Sequence, residues 1–156
     1  NEADHSKRYW WLHTTRWDYL MPDSRALTGT GGELLCASYL AFKGLNVYRP
    51  MTPSRRDLLI YNKRKNYFYG VQVKTQNVLK EKRKTKRYRF SFYKRGRPYS
   101  TFDVPIFCMV AADKGLMLFA INDGSVDTQM IYEKDITKEN QDQSFDALMK
   151  ELHYYD

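Results

Sequence analysis

The chain has 156 residues, of which 42% are hydrophobic, and a formal net charge of +8. This length suits one domain with a single core. No apolar run approaches the ~20 residues that a membrane-spanning helix needs. We therefore expect a single domain over residues 1–156, no membrane association and an intracellular, cytoplasmic location, since no secretory signal is visible. The positive charge favours a polyanionic partner.

Residues 1–28 form a predicted N-terminal extension for which two interpretations remain open. Tryptophans and tyrosines are concentrated between Tyr9 and Tyr19, with arginines among them. In the first interpretation a short helix packs these aromatic rings on the domain. In the second, the rings and arginines contact DNA backbone or bases.

The next segment predicts a helix followed by a three-stranded meander. The helix is expected to begin at Thr30 and to end at Gly44, a residue type that often terminates helices. Thr30 and Glu33 have the spacing of a capping box, so Glu33 is either a helix cap or a site residue. Predicted strands follow at residues 45–48, 56–61 and 67–76.

Alternation in the third of these strands separates an apolar face from a polar one. The odd-numbered residues from Tyr69 to Thr75 share one face, and Gln72 and Lys74 lie side by side on the other. Asp57 stands at the start of the preceding strand. An acid, an oxygen ligand and a lysine suit metal-dependent phosphodiester hydrolysis, because the lysine can orient a water or neutralise developing charge.

The order Glu33, Asp57, Gln72-Val73-Lys74 resembles the PD-(D/E)XK nuclease superfamily. The Gln-x-Lys version is most similar to the homing endonucleases encoded in group I introns. The resemblance covers about residues 30–75. It implies an α/β, restriction-endonuclease-like core, with a central mixed β-sheet flanked by helices and with residues 30–76 as the catalytic core.

This resemblance also implies the roles of individual residues. Glu33, Asp57, Gln72 and Lys74 would be catalytic. The cofactor would be Mg²⁺, for which Mn²⁺ could substitute, held by Asp57, Gln72 and the backbone carbonyl of Val73, with Glu33 as a further candidate ligand. Gln72 departs from the usual carboxylate. Its neutral amide oxygen should bind the cation more weakly, which leaves a degenerate, inactive site as an alternative.

A basic run at residues 80–87, a predicted strand at 88–93 and a basic turn at 94–98 follow. They are either solvated loops or a DNA clamp that contacts phosphates. Lysines in the run should contact DNA phosphates independently of sequence. Arginines in the tighter turn can make a directed contact with a base and so contribute to site choice. The candidate DNA-binding residues are Arg55, Arg56, Lys82, Arg83, Lys84, Lys86, Arg87, Lys94, Arg95 and Arg97.

The last third of the chain predicts more sheet and a closing helix. Residues 104–112 are nearly all apolar, which is typical of a strand covered on both faces. A hairpin partner is expected at 116–121, an edge strand at 129–132 and an amphipathic helix at 144–152 that packs on the sheet or contacts a second subunit. Cys36 and Cys108 are expected to be buried free thiols.

The predicted function is Mg²⁺-dependent cleavage of double-stranded DNA by a homing-endonuclease-like enzyme. Cutting both strands needs two active sites, so an even-numbered homo-oligomer, a dimer or tetramer, is expected. One alternative is a Holliday-junction-resolving or repair nuclease. Another is a non-catalytic DNA-binding module on a degenerate nuclease fold.

Overall fold

The computed structural model describes residues 24–52, 54–78, 85–94, 96–125 and 127–156, apart from the side chains of Ser24, Ala26, Leu27 and Lys94. The interpretations of residues 1–23 lie outside this part of the chain. The elements in chain order are α1 (Ser24–Phe42), β1 (Asn46–Tyr48), β2 (Leu58–Asn62), β3 (Tyr67–Gln76), β4 (Arg87–Ser91), β5 (Tyr93–Lys94), β6 (Arg97–Pro98), β7 (Ile106–Ala111), β8 (Leu116–Ile121), β9 (Thr128–Tyr132) and α2 (Lys138–Glu151).

Five strands form a central mixed sheet in the order β1-β2-β3-β7-β8. The first three strands pair antiparallel as the predicted meander, β3 pairs parallel with β7, and β8 returns antiparallel along β7. The parallel pair requires a long connection, which the chain makes through β4, β5 and β6. The mixed sheet of the sequence prediction is therefore confirmed.

Both helices pack on the same face of this sheet. Cys36 and Leu40 of α1 are buried against Val71 and Val73, and one side of α2 adds Phe145 to the same cluster. The two helices also touch each other, because the Tyr39 hydroxyl donates a hydrogen bond to Asp142 Oδ1 at 2.6 Å. Within the described ranges, neither helix has the length and apolarity needed to cross a membrane.

The opposite face of the sheet is covered by a second, two-stranded sheet of β4 and β9. Its buried rings pack on β7. The ring of Phe92, the residue that follows β4, adds to this packing, and its centroid lies 4.0 Å from that of Phe107. All six residues of β7 are buried, as the apolar run predicted. The strand expected at 129–132 exists, but it pairs with β4 and not with the edge of the central sheet.

Both helices begin earlier than the sequence predicts. α1 starts at Ser24, so Thr30 lies inside the helix and the capping-box interpretation of Thr30 and Glu33 is wrong. α2 starts at Lys138 and not at residue 144, and its N-cap is Thr137, whose hydroxyl accepts from the Asn140 N–H at 3.1 Å. Glycines in α1 and polar residues in the first turns of α2 hid these starts.

Candidate active site

A close approach between α1 and β3 fixes the position of Glu33. A Cβ atom on Gly32 would lie 1.8 Å from Thr75 Oγ1, so a larger residue could not occupy this crossing. Glycine inside a helix costs about 1 kcal/mol relative to alanine, and the crossing explains why the chain tolerates it. The next residue, Glu33, is thereby brought to one end of the sheet.

Asp57 lies where the ladder between β2 and β3 ends. Its backbone N–H donates to the Val71 carbonyl at 2.9 Å. The Asp57 carboxylate pairs with the next backbone donor of β3. Its Oδ2 accepts a hydrogen bond from the Val73 N–H at 2.8 Å. The same Oδ2 accepts a hydrogen bond from Gln72 Nε2. The acid is therefore tied directly to the strand that carries Gln72 and Lys74.

Three predicted metal ligands converge at this point. Gln72 Nε2 contacts Asp57 Oδ2 and also lies 3.5 Å from the Val73 carbonyl oxygen. An ionised carboxylate only accepts hydrogen bonds, so the amide turns its NH₂ group toward Asp57. Gln72 is only 6% exposed. The polar face of β3 is therefore an interior surface, covered by the second sheet and its neighbouring loops.

Lys74 is half-buried on the same face of β3, next to Met109 of β7. Its ammonium donates to the Tyr99 hydroxyl at 3.3 Å. Burial lowers the pKa of Lys74 below the usual lysine value, and the negative charge of Asp57 opposes this shift. Lys74 is thus close enough to Asp57 to interact with it electrostatically.

Tyr99 is a site residue that the sequence did not reveal. It is 6% exposed, and its pKa is raised by burial and further by the charge of Asp57. The chain contains 13 tyrosines, and nothing in the local pattern separates Tyr99 from the others. Only the tertiary structure brings it to Lys74.

Glu33 and Asp57 line one open cavity of about 560 Å³. The Glu33 carboxylate forms an ion pair with the Arg49 guanidinium at 2.8 Å. Gln72 and Lys74 are not among the described residues of this cavity wall. Among the described residues, no group of three or more histidine, cysteine or acidic side chains could hold a metal ion. A cation would depend on one carboxylate, carbonyl oxygens and water.

Arg56 links the loop before β7 to the sheet through two hydrogen bonds to Asp103. Its Nε donates to the Asp103 carbonyl at 2.9 Å, and a terminal nitrogen donates to Asp103 Oδ1 at the same distance. Gly70 permits this contact, because a Cβ atom there would lie 2.0 Å from the Asp103 carbonyl oxygen. Arg55, in contrast, is exposed, and its charge lowers the pKa of Tyr99 against the larger effects of burial and Asp57.

Of the remaining candidate DNA-binding residues that the structure describes, Arg87 lies on β4, Lys86 directly precedes it, and Lys94 and Arg97 lie on β5 and β6. Lys86 and Arg97 are exposed and Arg87 is partly buried. Arg89, which is not among these candidates, is exposed on β4. Lys94 belongs to β5, but its side chain lies outside the described atoms, and Lys82, Arg83, Lys84 and Arg95 lie outside the described residues.

The mixed five-stranded sheet packed by two helices is an α/β fold of the restriction-endonuclease-like type. A solved structure that it resembles is the bacterial homing endonuclease I-Ssp6803I. The similarity has a TM-score of 0.60 at 16% sequence identity and covers 86% of this chain and 99% of that one. No protein-family model and no curated protein matches the sequence. At this identity the likeness concerns the fold.

Proposed function

We propose that this protein is a metal-dependent endonuclease that hydrolyses phosphodiester bonds in double-stranded DNA, in the manner of a homing endonuclease. One observation carries the proposal: the Gln72 amide contacts both the Asp57 carboxylate and the Val73 carbonyl, and Lys74 lies two residues further on the same face of β3. The fold, similar to that of a homing endonuclease, supports DNA as the substrate, and so does the net charge of +8.

The residues present fit a hard divalent cation such as Mg²⁺. Mg²⁺ is commonly bound through one or two carboxylates and keeps several waters. Asp57 would supply the charge, and Val73 and Gln72 would supply neutral oxygens. Gln72 currently directs its NH₂ group at Asp57, so a cation there requires the amide to turn and present Oε1. Glu33 would assist through water or by leaving Arg49.

The proposed roles of the residues follow from their positions. The chemistry that Mg²⁺ supplies in such a site is Lewis-acid polarisation of a phosphate oxygen. Lys74 would hold the attacking water or donate to the scissile phosphate, where a partly desolvated ammonium stabilises developing charge better than it would in open solvent. Asp57 would keep the site negative enough to bind the cation.

Cleavage of a supercoiled plasmid and of a four-way junction, each with Mg²⁺ and with EDTA, tests the proposal. We expect Mg²⁺-dependent nicking and linearisation of the plasmid. Cleavage confined to the junction would replace this proposal with a junction-resolving nuclease. DNA binding without turnover in Mg²⁺ or Mn²⁺ would indicate a non-catalytic module. Sedimentation of the active protein should show an even-numbered homo-oligomer, a dimer or tetramer, if both strands are cut.

Lys86 and Arg97 are proposed to contact DNA in different ways. The Lys86 side chain is 64% exposed and 3.9 Å from Glu133, so it is a loosely held point charge. Arg97 belongs to a short hairpin whose turn includes Gly96 at φ +74°. A guanidinium on a tight turn can make a directed bidentate contact with a base, which is worth ~1–3 kcal/mol of discrimination.

We therefore expect Lys86→Ala to weaken binding equally on all duplexes, and Arg97→Ala to reduce the ratio of specific to non-specific binding. Loss of the lysine should flatten the slope of log K against log salt by ~1. Salt titrations of binding to a cleaved and a random duplex measure both effects. Lys150→Ala, an exposed lysine on α2, is the matched control. Equal losses on both duplexes for Arg97→Ala would mean that the hairpin only grips the backbone.

A further inference from the structure

We propose that Tyr99 is a positioning residue that holds the Lys74 ammonium in the position from which it acts on the water or the phosphate. This inference rests on the proposed nuclease function, in which Lys74 acts on the water or phosphate. Tyr99 lies in the connection between β6 and β7, 25 residues along the chain from Lys74. It would act through Lys74 and not on the substrate.

The contact between the two side chains is a hydrogen bond to the hydroxyl oxygen. Lys74 Nζ lies 3.3 Å from that oxygen and 5.4 Å from the centre of the ring. The ammonium therefore sits nearer the hydroxyl than the ring face, and the weaker cation–π attraction adds to the same placement. Removing only the hydroxyl should release most of the constraint.

Tyr99 can act as a fixed anchor because its own position is held from several sides. Its carbonyl accepts from Asn122 Nδ2 at 3.1 Å, and the same amide donates to the Val104 carbonyl at 2.8 Å. Asn122 is itself buried, and the Tyr99 ring meets Phe107 edge-on with centroids 6.1 Å apart. The flexible partner in the pair is thus Lys74, which has a long side chain with several rotatable bonds.

Without the hydroxyl, the ammonium has a competing partner. The negative charge of Asp57 already acts on Lys74, and loss of the Tyr99 acceptor would draw the ammonium toward that carboxylate. An ion pair there would take charge from the cation ligand and move the ammonium away from the substrate. The hydroxyl therefore keeps two site residues apart in their separate roles.

Tyr99→Phe tests this inference because it removes the hydroxyl and keeps the ring. With enzyme in excess over supercoiled plasmid in Mg²⁺, we expect the single-turnover rate to fall by about tenfold or more, since small misplacements of a reacting group are costly. The dissociation constant for a duplex in EDTA should stay within about twofold of wild type. Tyr99 is proposed to act on the catalytic step through Lys74 and not on DNA binding.

Tyr88→Phe is the matched control. Tyr88 is also a buried tyrosine, and its hydroxyl bonds to the Asp113 carboxylate at 2.9 Å, in the turn between β7 and β8. This variant should lower the melting temperature and leave the cleavage rate unchanged. If both variants lose activity in proportion to melting temperature, Tyr99 has only a structural role and the inference is overturned.

A double-mutant cycle of melting temperatures, measured in EDTA, tests the contact between Tyr99 and Lys74 without any cleavage. Tyr99→Phe should lower the melting temperature by a few degrees in wild type, and clearly less in a Lys74→Met background, because the lost partner is then already absent. Equal losses in both backgrounds, or a wild-type cleavage rate for Tyr99→Phe, would overturn the inference. If the wild-type protein cuts no DNA, the nuclease proposal fails, and this cycle alone decides whether Tyr99 holds Lys74.

Discussion

Asp57→Asn is expected to abolish Mg²⁺ binding and DNA cleavage while the domain still folds. Asp57 is the acid tied to both Gln72 and Val73, so its charge is what would hold a hard cation at their oxygens. Asparagine keeps an oxygen that can accept from the Val73 N–H, which preserves the end of the β2–β3 ladder. Calorimetric titration with Mg²⁺ and Mn²⁺, together with plasmid cleavage, measures the loss. Metal affinity equal to that of wild type would disprove this metal site.

Gln72→Glu is the opposite change at the same site and serves as its control. A second carboxylate should preserve or strengthen metal affinity. It should also lower the melting temperature in EDTA, because a buried carboxylate at residue 72 would face the partly buried carboxylate of Asp57, where an amide now donates. Mg²⁺ should restore the loss. Combining Asp57→Asn with Gln72→Glu keeps the charge of wild type and shows whether position or charge governs binding.

Much of the central sheet could be predicted because its signals are local. Alternation in β3 placed Gln72 and Lys74 on one face, and the turn residues between β2 and β3 defined the meander. The β4–β9 pair could not be predicted in the same way. A strand pattern at residues 88–93 is the same whichever partner it takes, and the partner here is more than thirty residues away.

The start of α1 shows how packing overrides local preference. Gly29, Gly31 and Gly32 reduce intrinsic helix stability, so local signals placed the boundary at Thr30. The structure continues the helix back to Ser24 and uses Gly32 for the crossing with β3. The local sequence cannot predict this glycine, because the requirement for a residue without a side chain comes from Thr75, which approaches Gly32 only in the folded structure.

In the candidate site, the order of Asp57, Gln72 and Lys74 was visible in the sequence, but their surroundings were not. The charge of Arg56 makes it a candidate DNA contact, but its guanidinium donates two hydrogen bonds to Asp103. Of the two adjacent arginines, Arg55 and Arg56, we therefore favour Arg55, which is exposed, as the residue that contacts DNA. Charge identifies which residues can contact phosphate, but the fold decides which of them are available.

Lys74→Ala is expected to abolish cleavage and to leave DNA and Mg²⁺ binding nearly intact. A preorganised donor to developing charge contributes ~10²–10³-fold to a rate, so the single-turnover rate should fall by that order. Binding should persist because Lys74 is half-buried and is not one of the exposed basic residues proposed to contact the DNA backbone. Single-turnover plasmid cleavage in Mg²⁺ measures the loss, and calorimetry and duplex binding in EDTA measure what remains. A wild-type rate would remove this lysine from the mechanism.

The pH dependence of the melting temperature of Lys74→Ala distinguishes the loss of a catalytic group from damage to the fold. Burial lowers the pKa of Lys74, so the folded state binds fewer protons than the unfolded state between this lowered pKa and the usual lysine pKa. Wild-type stability in EDTA should therefore gain from Lys74 as pH rises through that interval. Lys74→Ala lacks this gain, so we expect melting temperatures of the two proteins to change differently over that range. A parallel pH dependence would show that Lys74 is not desolvated in the fold.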